Sequence, residues 1–492
     1  MRIYVNSQYV IRNEKGCSYI VAKSSFANER LGNLTSSVCI VPPMVGYILS
    51  HISDAELKLA EEKIAETTFL KVDTIDQFVN KLIDNPSTVG WKYKGVTVSF
   101  PPYLLTYTKG VDTAEIYTDS DFSCSDIFIP KRPSKPLSLN LVITTQCYTD
   151  CIYCYADRNR KDDLSVQNIL KILDEAYDMG VVNLTMSGGD LFAFSGWKRV
   201  IQKVCEYNFF PLLSTKVPLK REDIFFLRNI GAKSLQVSLD SVSPDVLTKM
   251  VHVGNDYIER ISRMLGYCDE AGIKVGVRTV LTKYNVNKVE IEYLYSFMES
   301  FSCVTSWVLT PAFLSEFKDD FVEYRASDED LIQVYKQTQL KSISSRFKIL
   351  YNKMSDKKYN LHPFSTVESF VENNQICNAN SYTMAVLSNG DATACEMLYG
   401  NSYFLFGNVR NQSLYELWNS SKALEMYSYK QEMIKHNKNN QCTNCSVYSD
   451  CKLSLGKRVC YVDITKVYGR DKYEYPDPRC PNALACQETL IL

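Results

Sequence analysis

Short apolar runs recur between residues 137 and 341, and each is followed by a stretch of helical periodicity. The runs are LSLNLVI, VVNLTMS, FFPLLST, SLQVSLD, KVGVRTVL and SWVLTPA; the helical stretches include SVQNILKILDEAYDMG and EIEYLYSFMES. Continuous apolar runs alternating with amphipathic helices predict a parallel sheet covered by helices. Six units are visible, whereas a closed barrel of this kind needs eight. The pattern therefore predicts an α/β protein built on an open or partial (β/α)6 barrel.

The flanking regions read differently. In residues 1–105, RIYVNSQYVIR and CSYIVAKSS flank the turn NEKG and predict a hairpin. VGYILSHI, DAELKLAEEKIAE and DTIDQFVNKLIDNP read as helices, the last two with Asp54 and Asp73 as N-caps. GVTVSFPPYLLTY reads as one extended piece. This order of elements predicts a small winged-helix-like domain. Residues 106–136 end in IPKRPSKP, with three prolines, and read as a linker into the core at 137–341. Residues 342–369 bridge to a last region, 370–492, where periodicity fades and cysteines accumulate. Metal can hold such a region where the apolar core is thin.

Composition adds little until the cysteines are reached. Of 492 residues, 45% are apolar and 23% charged, with a net charge of −1. That balance recruits neither nucleic acid nor an anionic membrane. No basic flank precedes an apolar core at the N-terminus, and no apolar run is long enough to span a bilayer. The expected compartment is the cytosol, where cysteines read as metal or redox ligands before disulfides.

There are 17 cysteines and only four histidines, none at ligand spacing from the cysteine groups. Cys17, Cys39, Cys124, Cys205, Cys268 and Cys303 are scattered and read as small core residues. Cys147, Cys151 and Cys154 form C-x3-C-x2-C in TTQCYTDCIYCYADR, at the C-terminal end of the first apolar run. Ligands bind at that end of parallel α/β sheets. A zinc site would need a fourth ligand nearby. A redox pair at 151 and 154 leaves Cys147 unexplained, and a purely structural triplet is a third reading. The fourth is a [4Fe–4S] cluster on three thiolates, whose unligated iron is open to a small molecule; such clusters normally take four cysteines.

These residues resemble the radical S-adenosylmethionine (SAM) superfamily, with Tyr153 as the aromatic of its three-cysteine signature. The resemblance implies that the open iron binds SAM and that its reductive cleavage yields a 5′-deoxyadenosyl radical. MSGGD, carrying Ser187, Gly188, Gly189 and Asp190, resembles the family's Gly-Gly-Glu motif at the SAM amino group, with Asp in place of Glu. LLSTK, with Ser214 and Thr215, and LQVSLDS, with Ser238 and Asp240, resemble further SAM-contacting strand ends. Arg278, in VGVRTVLTKYN, resembles the arginine that pairs with the SAM carboxylate, for which a forked guanidinium is suited.

Eight more cysteines lie beyond residue 370. Cys377, Gly390, Cys395, Cys442, Cys445 and Cys451, with LFGNVRNQSLYELWNSSK between the groups, resemble a SPASM domain. Two auxiliary [4Fe–4S] clusters are implied, making three in all. The family pattern would put a cysteine at 455, where this chain has Leu455; the next is Cys460. The implied sets are Cys377, Cys395, Cys460 and Cys486 for one cluster, and Cys442, Cys445, Cys451 and Cys480 for the other. Exchange of Cys480 with Cys486 stays open, as do two structural zinc sites.

Residues 1–105 resemble a RiPP recognition element, which binds the leader of a ribosomally made precursor peptide as an added strand. The expectation is a peptide-modifying enzyme that forms a thioether or another side-chain crosslink, supplied with electrons by a flavodoxin or ferredoxin. Glu396, beside Cys395, is the candidate acid/base residue. Rival readings are an oxidase of the sulfatase-maturing type, an enzyme acting on a cofactor precursor, and a multi-cluster electron carrier.

Overall fold

The computed structural model describes residues 2–23, 38–93, 95–108, 114–157, 162–209, 211–315, 320–357, 363–435 and 439–484. They fall into two compact units: residues 1–138 with 178–183, and residues 139–177 with 184–492. Among the described residues no helix is long and apolar enough to cross a membrane.

In the first unit, Tyr9–Glu14 and Cys17–Ala22 pair antiparallel from Tyr9↔Ala22 to Glu14↔Cys17. Gly16 (φ +88°) makes the tight turn that a side chain would strain. Arg2–Val5 is not part of this hairpin; it pairs with Ala55–Glu56 and Leu105–Thr106. Helices Pro43–Ile52, Leu57–Thr68 and Val72–Leu82 follow, then a hairpin of Val89–Tyr93 with Val96–Phe100. The stretch GVTVSFPPYLLTY, expected as one extended piece, is broken at Pro101-Pro102 into two strands of different sheets, Val96–Phe100 and Leu105–Thr106. Neither Asp54 nor Asp73 is an N-cap: those positions fall to Glu56 and Lys71, without side-chain bonds. Asp54 instead adopts a left-handed turn (φ 58°) and pairs with Arg2 at 2.9 Å. Residues 106–136 are more than a linker, since Glu115–Thr118 adds to the sheet parallel to Tyr9–Glu14.

The six apolar runs become six core strands, which apart from Ser138 and Asn183 belong to the second unit: Ser138–Thr144, Asn183–Gly188, Ser214–Thr215, Ser234–Ser238, Lys274–Leu281 and Val304–Pro311. The third to sixth are parallel neighbours in one sheet, and Lys348–Tyr351, from the bridging segment, extends it. The third strand is short because its run includes Pro211, which has no N–H to give the ladder. The first two core strands lie in another sheet, in the order second, first, Thr383–Val386, Asp391–Thr393, Leu405–Asn408. The barrel is therefore open, and the cysteine-rich region is hydrogen-bonded to the first core strand. Along the fifth strand Val275, Val277, Thr279 and Leu281 are buried, while Gly276, Arg278 and Val280 are half-buried. This alternation puts Arg278 on the face opposite the fully buried one. On the buried face Trp307 Nε1 donates to Thr279 Oγ1 at 2.9 Å, and Thr279 donates to the Leu239 carbonyl at 2.7 Å.

Candidate functional site

The first core strand ends at Thr144, and the chain turns into the loop carrying Cys147, Cys151 and Cys154. Thr144 Oγ1 donates to Asp163 at 2.5 Å and receives the Gln146 N–H at 3.0 Å, which starts the turn. Asp150 and Ile152 N–H groups donate to the carbonyls of Val251 and Met250 at 3.2 and 3.0 Å, so a helix end, Pro244–Val251, supports the loop. Thr149 Oγ1 lies 3.6 Å from Cys147 Sγ and 3.3 Å from Cys151 Sγ. Every described cysteine is a free thiol.

Gly188 and Gly189 fit against this loop. Their N-terminal neighbour strand brings them so close that a Cβ on Gly188 would sit 2.3 Å from the Thr144 carbonyl oxygen. On Gly189 it would sit 1.9 Å from the Gln146 carbonyl oxygen. Gly189 N–H donates to Thr144 O, and Asp190 N–H to Gln146 O, both at 2.7 Å. The close approach that these glycines permit is to the chain's own cysteine loop. Ser187, half-buried, precedes them on the strand.

The acids here are committed to the protein. Asp190 accepts Thr215 Oγ1 at 2.9 Å, Lys216 N–H at 2.8 Å and Phe192 N–H at 3.0 Å. Burial raises its pKa, and those bonds oppose the rise. It braces the second core strand against the third. Asp240 accepts Val280 N–H at 2.8 Å, Lys216 Nζ at 2.7 Å and the Tyr153 hydroxyl. Ser214 Oγ accepts from Gln236 at 2.7 Å, and the Ser238 carbonyl accepts from Lys216 Nζ at 3.4 Å.

Lys216 was invisible as a site residue in the sequence, where it is one lysine after Thr215. Burial alone would lower its pKa, but the Asp240 carboxylate outweighs that and holds it above the ordinary lysine value. Its charge also acts on Cys151. The side chains of Lys216 and Asp240 are 12% and 1% exposed. Removing one partner of such a buried pair costs about 3–5 kcal/mol. Lys216→Met is expected to lower unfolding free energy by about that much, and Lys216→Met with Asp240→Asn by less; denaturant titration of the four-protein cycle reads the coupling.

Tyr155 is a second residue that sequence reasoning passed over. Burial raises its hydroxyl pKa, and Glu396, Cys154 and Cys395 raise it further, while Arg278 opposes them. Members of two cysteine groups, Cys154 and Cys395, thus act on its hydroxyl electrostatically. Glu396 accepts Asn140 Nδ2 at 3.0 Å, from the first core strand, and lies 3.7 Å from Cys395 Sγ. Arg278 is half-buried, burial lowers its pKa, and its Nε has no hydrogen-bond partner. A guanidinium with a spare donor fits a ligand carboxylate.

Cys442, Cys445, Cys451 and Cys480 line one cavity, with Lys452 and Asp477. Cys377 is bridged to Lys457 by its N–H at 2.7 Å, and Cys395 follows the strand Asp391–Thr393. Burial pushes the Cys395 thiol far up, with further push from Glu396, Cys377 and Cys460, so these thiols form a second group. Cys486, its expected fourth member, lies outside the described residues. Asp477 ties the groups together: its carboxylate accepts Cys460 N–H at 2.8 Å and its carbonyl accepts Cys480 N–H at 2.8 Å. Arg479 holds that carboxylate at 2.7 and 2.9 Å and also pairs with Asp463. Among the described residues no three His, Cys, Asp or Glu side chains are drawn together around a point fit for a single ion. Four sulfurs around a cavity fit a larger, multi-iron group, whose usual donors are four thiolates.

Residues 141–298 match the radical SAM superfamily, and residues 377–446 match an iron–sulfur cluster-binding domain. A probable GTP 3′,8-cyclase of Methanothermobacter marburgensis is 28% identical over 32% of this chain and 49% of its own length. PqqA peptide cyclase of Rhizobium meliloti is 24% identical over 32% of this chain and 42% of its own. The chain thus spans about half the length of the curated relatives it matches first, 49% and 56%. Streptococcus suis SuiB, crystallised with its precursor peptide SuiA, superposes over 97% of this chain and 100% of its own, with TM-score 0.63 and 15% identity. The chain therefore carries a radical SAM domain and a SPASM-type domain on a fold shared with SuiB.

Proposed function

We propose that this chain is a radical SAM enzyme that modifies a ribosomally made precursor peptide, forming a thioether or another side-chain crosslink. A [4Fe–4S] cluster held by three thiolates would, when bound with SAM, supply the electron for reductive SAM cleavage and so the means to take hydrogen from an unactivated C–H bond. The chain's own residues hold, orient and exclude. Cys147, Cys151 and Cys154 would hold that cluster. Cys442, Cys445, Cys451 and Cys480 would hold one auxiliary cluster, and Cys377, Cys395 and Cys460 with Cys486 the other. Arg278, with its unpartnered Nε, would take the SAM carboxylate. Gly188 and Gly189 keep the cysteine loop against the second strand, and Asp190, Thr215, Asp240 and Tyr153 brace the strand ends around it. Ser187, Ser214 and Ser238 lie at the same ends. Glu396, beside Cys395, would accept a proton from the substrate.

The observation that carries this reading is the three-thiol loop at the C-terminal end of the first core strand, in one unit with two further thiol groups. The peptide substrate is favoured by SuiB, with its precursor peptide, and by the peptide cyclase. The first unit would receive the peptide's leader at a sheet edge. A flavodoxin or ferredoxin in the cytosol would supply electrons. The test uses the reconstituted chain and, as candidate precursor, a short peptide encoded by an open reading frame next to its gene, where one is found. Mass spectrometry is expected to find a mass loss in the full peptide and none in a leaderless one, with SAM cleavage continuing. Equal modification of the leaderless peptide would favour an oxidase of the sulfatase-maturing type.

A further inference from the structure

The segment KLSLGKRV separates Cys451, in one thiol group, from Cys460, in the other. Its first residue, Lys452, is 4% exposed, although lysine is almost never fully buried without a partner. The ammonium donates to the Glu474 carbonyl at 2.8 Å and the Tyr475 carbonyl at 2.7 Å. It lies 6.0 Å from the centroid of the Tyr448 ring. Lys452 also lines the cavity of Cys442, Cys445, Cys451 and Cys480, as its one basic residue. The one acid on that lining, Asp477, is engaged by Arg479 at 2.7 and 2.9 Å. Two carbonyl dipoles therefore fix a whole positive charge beside four sulfurs, and no described carboxylate forms an ion pair with it.

We propose that Lys452 is a built-in counter-charge for the redox centre held by Cys442, Cys445, Cys451 and Cys480, and that it raises the reduction potential of that centre. The inference rests on the cluster reading above. Four thiolates and a cluster are anionic in both oxidation states, and a one-electron reduction adds a further negative charge. A cation fixed in a low-dielectric site stabilises the more negative state more. Net charge and hydrogen bonds around the sulfurs are the levers by which proteins set such potentials. The electron would come from the external carrier, a ferredoxin or flavodoxin, and no bond in the chain is made or broken. Lys452 is thus a positioning residue for charge and does not touch the substrate.

Full-length, anaerobically reconstituted protein tests this. Iron and sulfide content, with loss of one EPR signal in Cys442→Ala, tests the cluster reading by itself. Potentiometric titration of that signal then tests Lys452. Lys452→Met is expected to shift the one-electron equilibrium at least tenfold towards the oxidised form, about 59 mV downward, with the other clusters unmoved. Lys452→Arg, which keeps the charge, is expected to stay at the wild-type value. A loaded Lys452→Met with an unchanged potential overturns the proposal. Where Lys452→Met does not load, Lys452→Gln, neutral but still a donor to the two carbonyls, is titrated in its place and must show the same downward shift. Loss of iron from both neutral variants assigns Lys452 to assembly and also overturns the proposal.

Discussion

Replacing Cys147, Cys151 and Cys154 together by Ala is expected to abolish cleavage of SAM to 5′-deoxyadenosine while the protein stays folded. The loop that carries them is tied down by backbone and side-chain bonds that do not involve sulfur: Thr144 to Asp163, Asp150 to Val251, Ile152 to Met250. Of the three, only Cys151 is buried, and Ala fills most of its space. The fold should thus survive, and thermal unfolding should move little. Iron content should fall by about one third, as one of three four-iron groups is lost. The remaining iron would sit on thiols held by other elements: Cys377 by its bridge to Lys457, Cys442 in the short turn Gln441–Asn444, and Cys460 and Cys480 by Asp477. Chromatography of the deoxyadenosine product beside iron analysis gives both readings from one sample. Residual 5′-deoxyadenosine in the triple variant would sink the assignment of the SAM site to this loop. Loss of all iron would instead show that the auxiliary sites depend on it.

Much of this architecture was legible in the chain because it follows from pattern. Continuous apolar runs such as LVI at 141–143 have one environment open to them, the middle of a covered sheet, and Leu141, Val142 and Ile143 are buried there. The Gly-Gly pair was legible as a motif resemblance, but its close approach to the carbonyls of Thr144 and Gln146 depends on the type and register of a neighbouring strand distant in the chain and not on local sequence. Helix starts failed at Asp54 and Asp73 for a related reason. Pairing of Arg2 and Ile3 with Glu56 and Ala55 draws Asp54 into a left-handed turn before the helix begins. The strand Glu115–Thr118 escaped notice because it is short and its partner, Tyr9–Glu14, is about a hundred residues away. Lys216, Tyr155 and Lys452 escaped for the plainest reason. A lysine or a tyrosine in sequence reads as surface or core, and only burial beside a committed acid, a thiol or a carbonyl pair gives it a role.

The glycine next to Asp190 gives the sharpest test of how the loop is held. Gly189→Ala adds one carbon, yet that carbon would lie 1.9 Å from the Gln146 oxygen, 2.5 Å from its carbonyl carbon and 2.8 Å from the Thr145 carbonyl carbon. All three are backbone atoms, so no side chain can swing aside. Either the second strand moves or the loop does. Overpacking of this kind costs about 1–3 kcal/mol, and the bonds nearest the strain are Gly189 N–H to Thr144 O and Asp190 N–H to Gln146 O. Cys147 directly follows Gln146, so a shift of the loop carries it along. A displacement of about 1 Å in a reacting constellation costs on the order of a hundredfold in rate. Gly189→Ala is therefore expected to lose about a hundredfold or more in SAM cleavage for a stability loss that leaves the protein folded at room temperature. Gly266→Ala is the control. A Cβ there meets nothing within 4 Å, and it lies inside the helix Tyr257–Ala271, so it should gain up to about 1 kcal/mol with unchanged SAM cleavage. Equal cleavage by wild type and Gly189→Ala would mean that the Gly-Gly pair does not set the position of the cysteine loop.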